Sequence, residues 1–252
     1  MPSDPSHHVV LLAPMPLELD AIVDVFGLEP AAGPPEVPRT GRVGGTDVTA
    51  VHIGMGPAAA REATARVLDD SASGHSPVHH VMVVGVCGGL DPDIPVGAMV
   101  NPTEVVEYSS GAAYPHTPPG DAPVAGRLVT TEGVTLDDGE SLRLAAEGFL
   151  GVDMETSGVA EVCQARGYAW SAYRCISDRH VDGLLDPRIV ALVEPDGSPY
   201  IDGVARLLAE EPDLAANLDQ LAADATRAAR LAAEAALAAC RVLDAGGGPA
   251  SR

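Results

Sequence analysis

The chain has 252 residues, enough for one substantial α/β core, and 46% of them are hydrophobic, which excludes a disordered chain. Its formal net charge is −21, and all 15 of its basic residues are Arg, spread along the sequence. Clustered cations are what neutralise phosphates, so this composition argues against binding to nucleic acid or to an anionic membrane surface.

The opening MPSDPSHHVVLLAP lacks a basic region followed by a long apolar stretch, so it does not read as a signal peptide. No segment reaches the roughly 18 apolar residues of a membrane span. A cytoplasmic protein is therefore expected. Cys87, Cys163, Cys175 and Cys240 lie far apart with no CxxC pair, which predicts buried reduced thiols and no metal site.

In chain order, His8 to Ala13 is an apolar run with a buried-strand pattern, followed by a helix over Leu17 to Phe26 that carries Glu18 near its start. Leu28 to Arg39 is a Pro-rich loop. Arg42 to Ile53 reads as one or two strands broken at Gly44-Gly45, and Pro57 to Asp69 as a helix. Val78 to Gly85 is a buried strand that enters a glycine turn, Gly85 to Gly89. Val96 to Tyr108 is strand-like, Ser109 to Ala125 is loop-rich, and Leu128 to Thr131 is a short strand. Asp153 to Arg166 reads as a helix and Tyr168 to Ile176 as a strand, with Ser177-Asp178 at its end. Val181 to Gly203 is a loop or short-helix insertion. Leu214 to Leu243 is a long Ala-rich helix in which Leu214, Leu218 and Leu221 mark a buried stripe. One domain over residues 1–243 and a flexible tail over 244–252 are expected. Strands alternating with helices predict a mainly parallel twisted sheet, with ligands beyond the carboxyl ends of its strands.

Several short stretches carry chemistry. Gly54 to Ala59 (GMGPAA) fits G-x-G-x-x-A. It does not open the first strand–helix unit, and no acidic residue ends a following strand, so it reads as a tight turn that brings backbone close to a small ligand rather than as a dinucleotide loop. Gly85, Gly88 and Gly89 allow the same approach. In VDMETSGVAEVC (Val152 to Cys163), Asp153, Met154 and Glu155 stand at a strand-to-helix junction, and RCISD (Arg174 to Asp178) ends the next strand. A carboxylate at a helix start can be simple dipole stabilisation; together with the S-D strand end, a site is the better reading.

With APMPLELDAI, HIGMGPAAA and VVGVCGGLDPDIPVGAMV, these stretches resemble the nucleoside phosphorylase and nucleosidase family, most closely its hydrolase branch, which includes the methylthioadenosine/S-adenosylhomocysteine nucleosidases. The resemblance spans most of Val9 to Asp178. It implies a single-domain, three-layer phosphorylase/hydrolase-like α/β fold with a central mixed, largely parallel sheet flanked by helices. It also implies a homodimer or higher homo-oligomer, and no cofactor. By that resemblance Glu18 activates the attacking water, and Asp178, with Ser177 beside it, protonates the leaving purine. Glu155 holds the ribose hydroxyls, Met154 packs on the sugar, Gly85 and Val86 line the substrate site, and Val134 falls near the base. Many relatives have Ser or Thr where Val86 stands, and Arg179 follows Asp178, where it could lower that carboxyl's pKa or equally point to solvent. His180 reads as an ordinary loop histidine or a second proton carrier.

The expected reaction is hydrolysis of the N-glycosidic bond of a purine nucleoside, adenine-type and possibly 5′-substituted. The alternatives are a phosphate-dependent purine nucleoside phosphorylase and a non-catalytic nucleoside-binding protein. The bond needs a base and an acid on opposite sides of the sugar, which Glu18 and Asp178 supply. A phosphorylase needs cationic donors for phosphate, and neither Pro14 to Glu18 nor Val81 to Val84 contains Arg.

Overall fold

A computed structural model describes residues 7–29, 37–72, 77–120, 125–133, 138–184 and 187–245. The element order is β1 (His8–Ala13), α1 (Pro16–Phe26), β2 (Arg39–Val43), β3 (Thr46–His52), α2 (Pro57–Ala72), β4 (His80–Gly89), β5 (Met99–Val100), β6 (Glu104–Glu107), β7 (Ala113–Pro115), β8 (Arg127–Thr130), α3 (Asp138–Ala146), β9 (Phe149–Asp153), α4 (Thr156–Arg166), β10 (Trp170–Arg179), α5 (Pro187–Val190), α6 (Ile201–Glu210) and α7 (Ala215–Asp244).

The ten strands form one mixed sheet in the order β2-β3-β1-β4-β9-β8-β6-β7, with β10 beside β4 and β5 beside β10. Strand β4 is the spine. Its first half pairs in parallel with β1 from Val9↔His80 to Leu12↔Val83, and its last two residues pair antiparallel with β9, Gly88↔Val152 and Gly89↔Gly151. Strand β10 runs parallel along β4 from Trp170↔Val81 to Arg179↔Gly89, with an irregularity between Ile176 and Asp178. Between Val83 and Gly88, therefore, β1 has left β4 and β9 has not yet joined it. Such a switch point is where a sheet opens to a ligand.

Strands β1 and β4 are apolar after their first histidine because both faces are covered. Val9, Leu11 and Ala13 of β1 pack with Leu19, Ile22 and Phe26 of α1 and with the alanines of α7. Val10 and Leu12 face the other way, onto Ala60 and Ala63 of α2 and Val159 and Ala160 of α4. The period of two along each strand thus yields three layers. All four cysteines are free and buried. Among the described residues no helix is long and apolar enough to cross a membrane.

Five local expectations need correction. Gly85 to Gly89 is the end of β4, not a turn, because each of its residues pairs in register with β10, β9 or both. Asp153 closes β9, and α4 begins three residues later at Thr156. Helix α3 was unforeseen; it buries little beyond Ser141 and Leu144 and leaves Leu142 54% exposed. In α7 the fully buried stripe is Ala228, Ala232, Ala233, Ala236 and Cys240, whereas Leu218 and Leu221, and Leu214 just before the helix, are only half-buried, because the helix meets the sheet along its second half. Small side chains there let α7 lie close to β4 and β10. Asp244, placed by sequence in the tail, is the last residue of α7, and its carboxylate accepts hydrogen bonds from the Gly45 N–H (2.7 Å) and the Thr46 hydroxyl (3.2 Å). The rest of the expected tail, from residue 246, lies outside the described residues, as do residues 30–36 of the Pro-rich loop.

Candidate active site

A cavity of about 570 Å³ opens at the switch point, beyond the carboxyl ends of β1, β4, β9 and β10. This is an ordinary volume for a small-molecule site. Its walls include Met15, Glu18, Met55, Gly56, Val86, Met154, Glu155, Ser177 and Asp178.

Glu18 is fixed from two sides. Pro16 starts α1 at a position where a missing N–H costs nothing. One turn in, the Glu18 carboxylate reaches back to accept the Met15 N–H at 2.8 Å, as in a capping box. Its other oxygen accepts the Val86 N–H at 2.7 Å, an amide of β4 in the stretch that neither β1 nor β9 covers. Gly85 makes this possible, since a Cβ there would overlap the Glu18 carboxylate and stand 2.8 Å from Nη1 of Arg174. Glu18 is 1% exposed. Burial, offset in part by Arg174 and by the Val86 and Met15 amides, pushes its pKa up to about 7.

Arg174 is the residue that the sequence reading left without a role. It is fully buried in β10, facing its register partner Gly85. Its Nη2 lies 2.7 Å from Asp153 and 3.1 Å from Glu155, its Nη1 3.5 Å from Glu18, and its Nε donates to the Thr156 hydroxyl at 3.2 Å. Burial works against its charge, but Asp153, Glu155 and Glu18 outweigh that and raise its pKa. The signal was present: one Arg inside the buried run WSAYRCIS demands a buried counter-ion. Arg174→Lys keeps the charge but loses the planar fork, leaving at least one buried acceptor unmet. It is expected to lower stability by about 1–3 kcal/mol, read as a lower urea midpoint at unchanged slope; an unchanged midpoint would mean that the fork holds nothing.

Glu155 sits at the N-cap of α4, but its side chain does not cap that helix. It accepts the Gly56 N–H at 3.0 Å and pairs with Arg174, and burial raises its pKa. The GMGPAA stretch thus has a function: Gly54 and Gly56 take φ of 75° and 92°, which lets the chain turn and aim an amide at Glu155.

Across the cavity, the Ser177 hydroxyl donates to Asp178 at 2.6 Å. Burial raises the Asp178 pKa, the Ser177 hydrogen bond opposes this, and the nearby Asp182 adds to it. Arg179 does not act on Asp178. Its guanidinium turns outward to Asp182, at 2.7 and 3.0 Å, and to the Pro92 carbonyl at 2.9 Å. Of the two alternatives for Arg179, lowering the Asp178 pKa or pointing to solvent, the side chain takes the course away from Asp178, because adjacent residues of a strand point to opposite faces. A strap over the cavity contributes Ile189, Val193, Glu194 and Pro195, tied down where the Pro195 carbonyl accepts the Met55 N–H (3.1 Å) and the Asp196 carbonyl meets His52 Nε2 (2.9 Å).

Of the residues singled out from sequence, Glu18, Val86, Met154, Glu155, Ser177 and Asp178 line this one cavity, and Gly85 lies behind Glu18. Val134 and the His180 side chain lie outside the described residues. Arg174 and the Asp153 carboxylate complete the buried cluster.

A family model described as the phosphorylase superfamily matches residues 8–131 and 120–238. No curated protein sequence matches the chain. Among solved structures, the 5′-methylthioadenosine/S-adenosylhomocysteine nucleosidase of Helicobacter pylori superposes with a TM-score of 0.67 at 16% identity, covering 96% of this chain and 100% of that one. The corresponding nucleosidase from S. pneumoniae gives 0.68 at 14% identity, covering 94% and 100%. Futalosine hydrolase of H. pylori gives 0.66 at 15%, covering 95% and 98%. At these identities the likeness is one of fold.

Proposed function

Since the chain belongs to the phosphorylase superfamily, we propose that it hydrolyses the N-glycosidic bond of a purine-type nucleoside, releasing free base and the ribose moiety. Glu18 takes a proton from a water that attacks C1′ of the ribose. The C1′–N bond breaks with its electron pair going to the base, and Asp178 gives the base a proton. Glu155 accepts hydrogen bonds from the ribose hydroxyls, and Met154 packs against the sugar. Base and acid end the cycle with protons exchanged, and solvent resets them. Charge that builds on sugar and base meets carboxylate and proton donor fixed in advance, so little reorganisation is needed.

The observation that carries hydrolysis over phosphorolysis is what surrounds Glu18. The donors that could cradle a phosphate there, the Met15 and Val86 amides and Arg174, are already occupied by carboxylates. An incoming phosphate would find a buried acid in its place and repulsion in place of donors. The named relatives in the fold comparison, nucleosidases and a futalosine hydrolase, support the same reading.

The test is chromatographic detection of free base from a nucleoside panel, adenine nucleosides with different 5′ substituents included, with and without phosphate. Equal base release without phosphate is expected. Strict phosphate dependence with a ribose 1-phosphate product would overturn hydrolysis, and no release from any nucleoside would favour a binding protein.

A further inference from the structure

We propose that Asp153 is a positioning residue: its carboxylate holds the Arg174 guanidinium and draws off its charge, so that Arg174 does not neutralise Glu18 outright and Glu18 stays able to take a proton from water. The proposal rests on the hydrolytic reading for its consequence, but not for its geometry.

Asp153 ends β9 opposite Thr130 of β8, and its side chain is 1% exposed. One oxygen accepts the Thr130 hydroxyl at 2.7 Å. The other receives the Thr156 N–H at 3.2 Å, the Thr156 hydroxyl, and Arg174 Nη2 at 2.7 Å. Both hydroxyls already accept an N–H, Thr130 from Ser157 at 3.0 Å and Thr156 from Arg174 Nε at 3.2 Å, so each has its one proton free for Asp153. Four donors converge on this carboxylate. It is also the nearest of the three carboxylates to the guanidinium.

The cluster therefore sets one cation among three buried acids. Glu18 comes from α1, Glu155 from the β9–α4 junction, Asp153 from β9 and Arg174 from β10; β4 adds the Cys87 thiol, whose pKa burial holds well above its ordinary range. Asp178 of β10 acts on Cys87 from the far side. If Asp153 loses its charge, Arg174 serves two acids in place of three, and the direct repulsion between Asp153 and Glu18 vanishes. Both changes favour ionised Glu18, so both weaken it as a base. A residue with a merely structural part would lower stability without moving this titration.

Asp153→Asn is near-isosteric and can still accept from Thr156 and Arg174. Glutamate side-chain carboxyl carbons, 13C-labelled, report Glu18 and Glu155 by NMR in the free protein, alongside the pH profile of kcat/KM. The Glu18 midpoint and the acid limb are expected to fall together by about one pH unit. An unchanged or raised Glu18 midpoint overturns the proposal. Should the variant fail to fold by circular dichroism, Asp153→Ser, which removes the charge but leaves a hydroxyl acceptor for Arg174, takes its place, with the same fall of the Glu18 midpoint expected and an unchanged or raised midpoint overturning the proposal. Absence of turnover in the unaltered protein would defeat the hydrolytic reading alone, because the carboxyl titrations do not depend on it.

Discussion

Replacing Asp178 with Asn is expected to cut base release by about 100- to 10,000-fold, the usual contribution of a positioned general acid, while nucleoside binding stays measurable by calorimetry. The amide has the same shape and can still accept the Ser177 hydroxyl's hydrogen bond, so the wall of the cavity persists. What is lost is the proton that relieves the negative charge developing on the base. The pH profile should change in a matching way. In the unaltered protein kcat/KM falls on the acid side as Glu18, with its pKa near 7, takes up a proton. The step also needs Asp178 protonated, so loss of that proton, which burial opposes, lowers kcat/KM as pH rises. The Asn variant should keep the acid limb and lose the alkaline limb. Unchanged turnover, or an alkaline limb that survives, would remove Asp178 from the mechanism.

Glu18→Ala should cost about 100- to 10,000-fold as well, and it offers a sharper diagnosis. The substitution vacates the Met15 and Val86 amides and leaves Arg174 facing an anion-sized space. Formate can occupy that space and accept the proton from water, so high formate should restore part of the rate. Glu18→Gln should be as slow but resist rescue, since its amide still fills the site. Full activity of the Ala variant would show that another group activates the water. Loss without rescue in a folded Ala variant would show that the carboxylate does more than accept a proton.

Much of the fold was legible from local pattern. The runs HVVLLA and HVMVV are apolar because both faces are covered, and the helix after β1 shows its start through Pro16 and its one early acid. The pairing of VDMET with RCISD pointed to the right end of the sheet, because residues that follow strands converge there whatever their distance in sequence. Elsewhere the local pattern misled. Glycines suggested a turn at Gly85 to Gly89, yet the chain stays extended, and the missing side chains serve Glu18 and Arg174 instead. Leucines suggested the buried stripe of α7, yet alanines hold it, because close packing against β4 and β10 rewards small residues.

The sequence by itself determined the alternation of strands and helices, and it picked out Glu18, Glu155 and Asp178 as the acids to watch. Those features are local: a period of two or 3.6, a cap, a short motif. Only the tertiary structure decided what surrounds each acid. Arg174 and Asp153 join the cluster through pairing of β10 with β4 and of β9 with β8, across gaps of up to 156 residues between Glu18 and Arg174 that no periodicity encodes. Arg179, adjacent to Asp178 in the chain, faces away from it because neighbours in a strand point to opposite sides. The charge state of a carboxyl follows from burial and from the charges within a few ångströms, and both are properties of the folded chain.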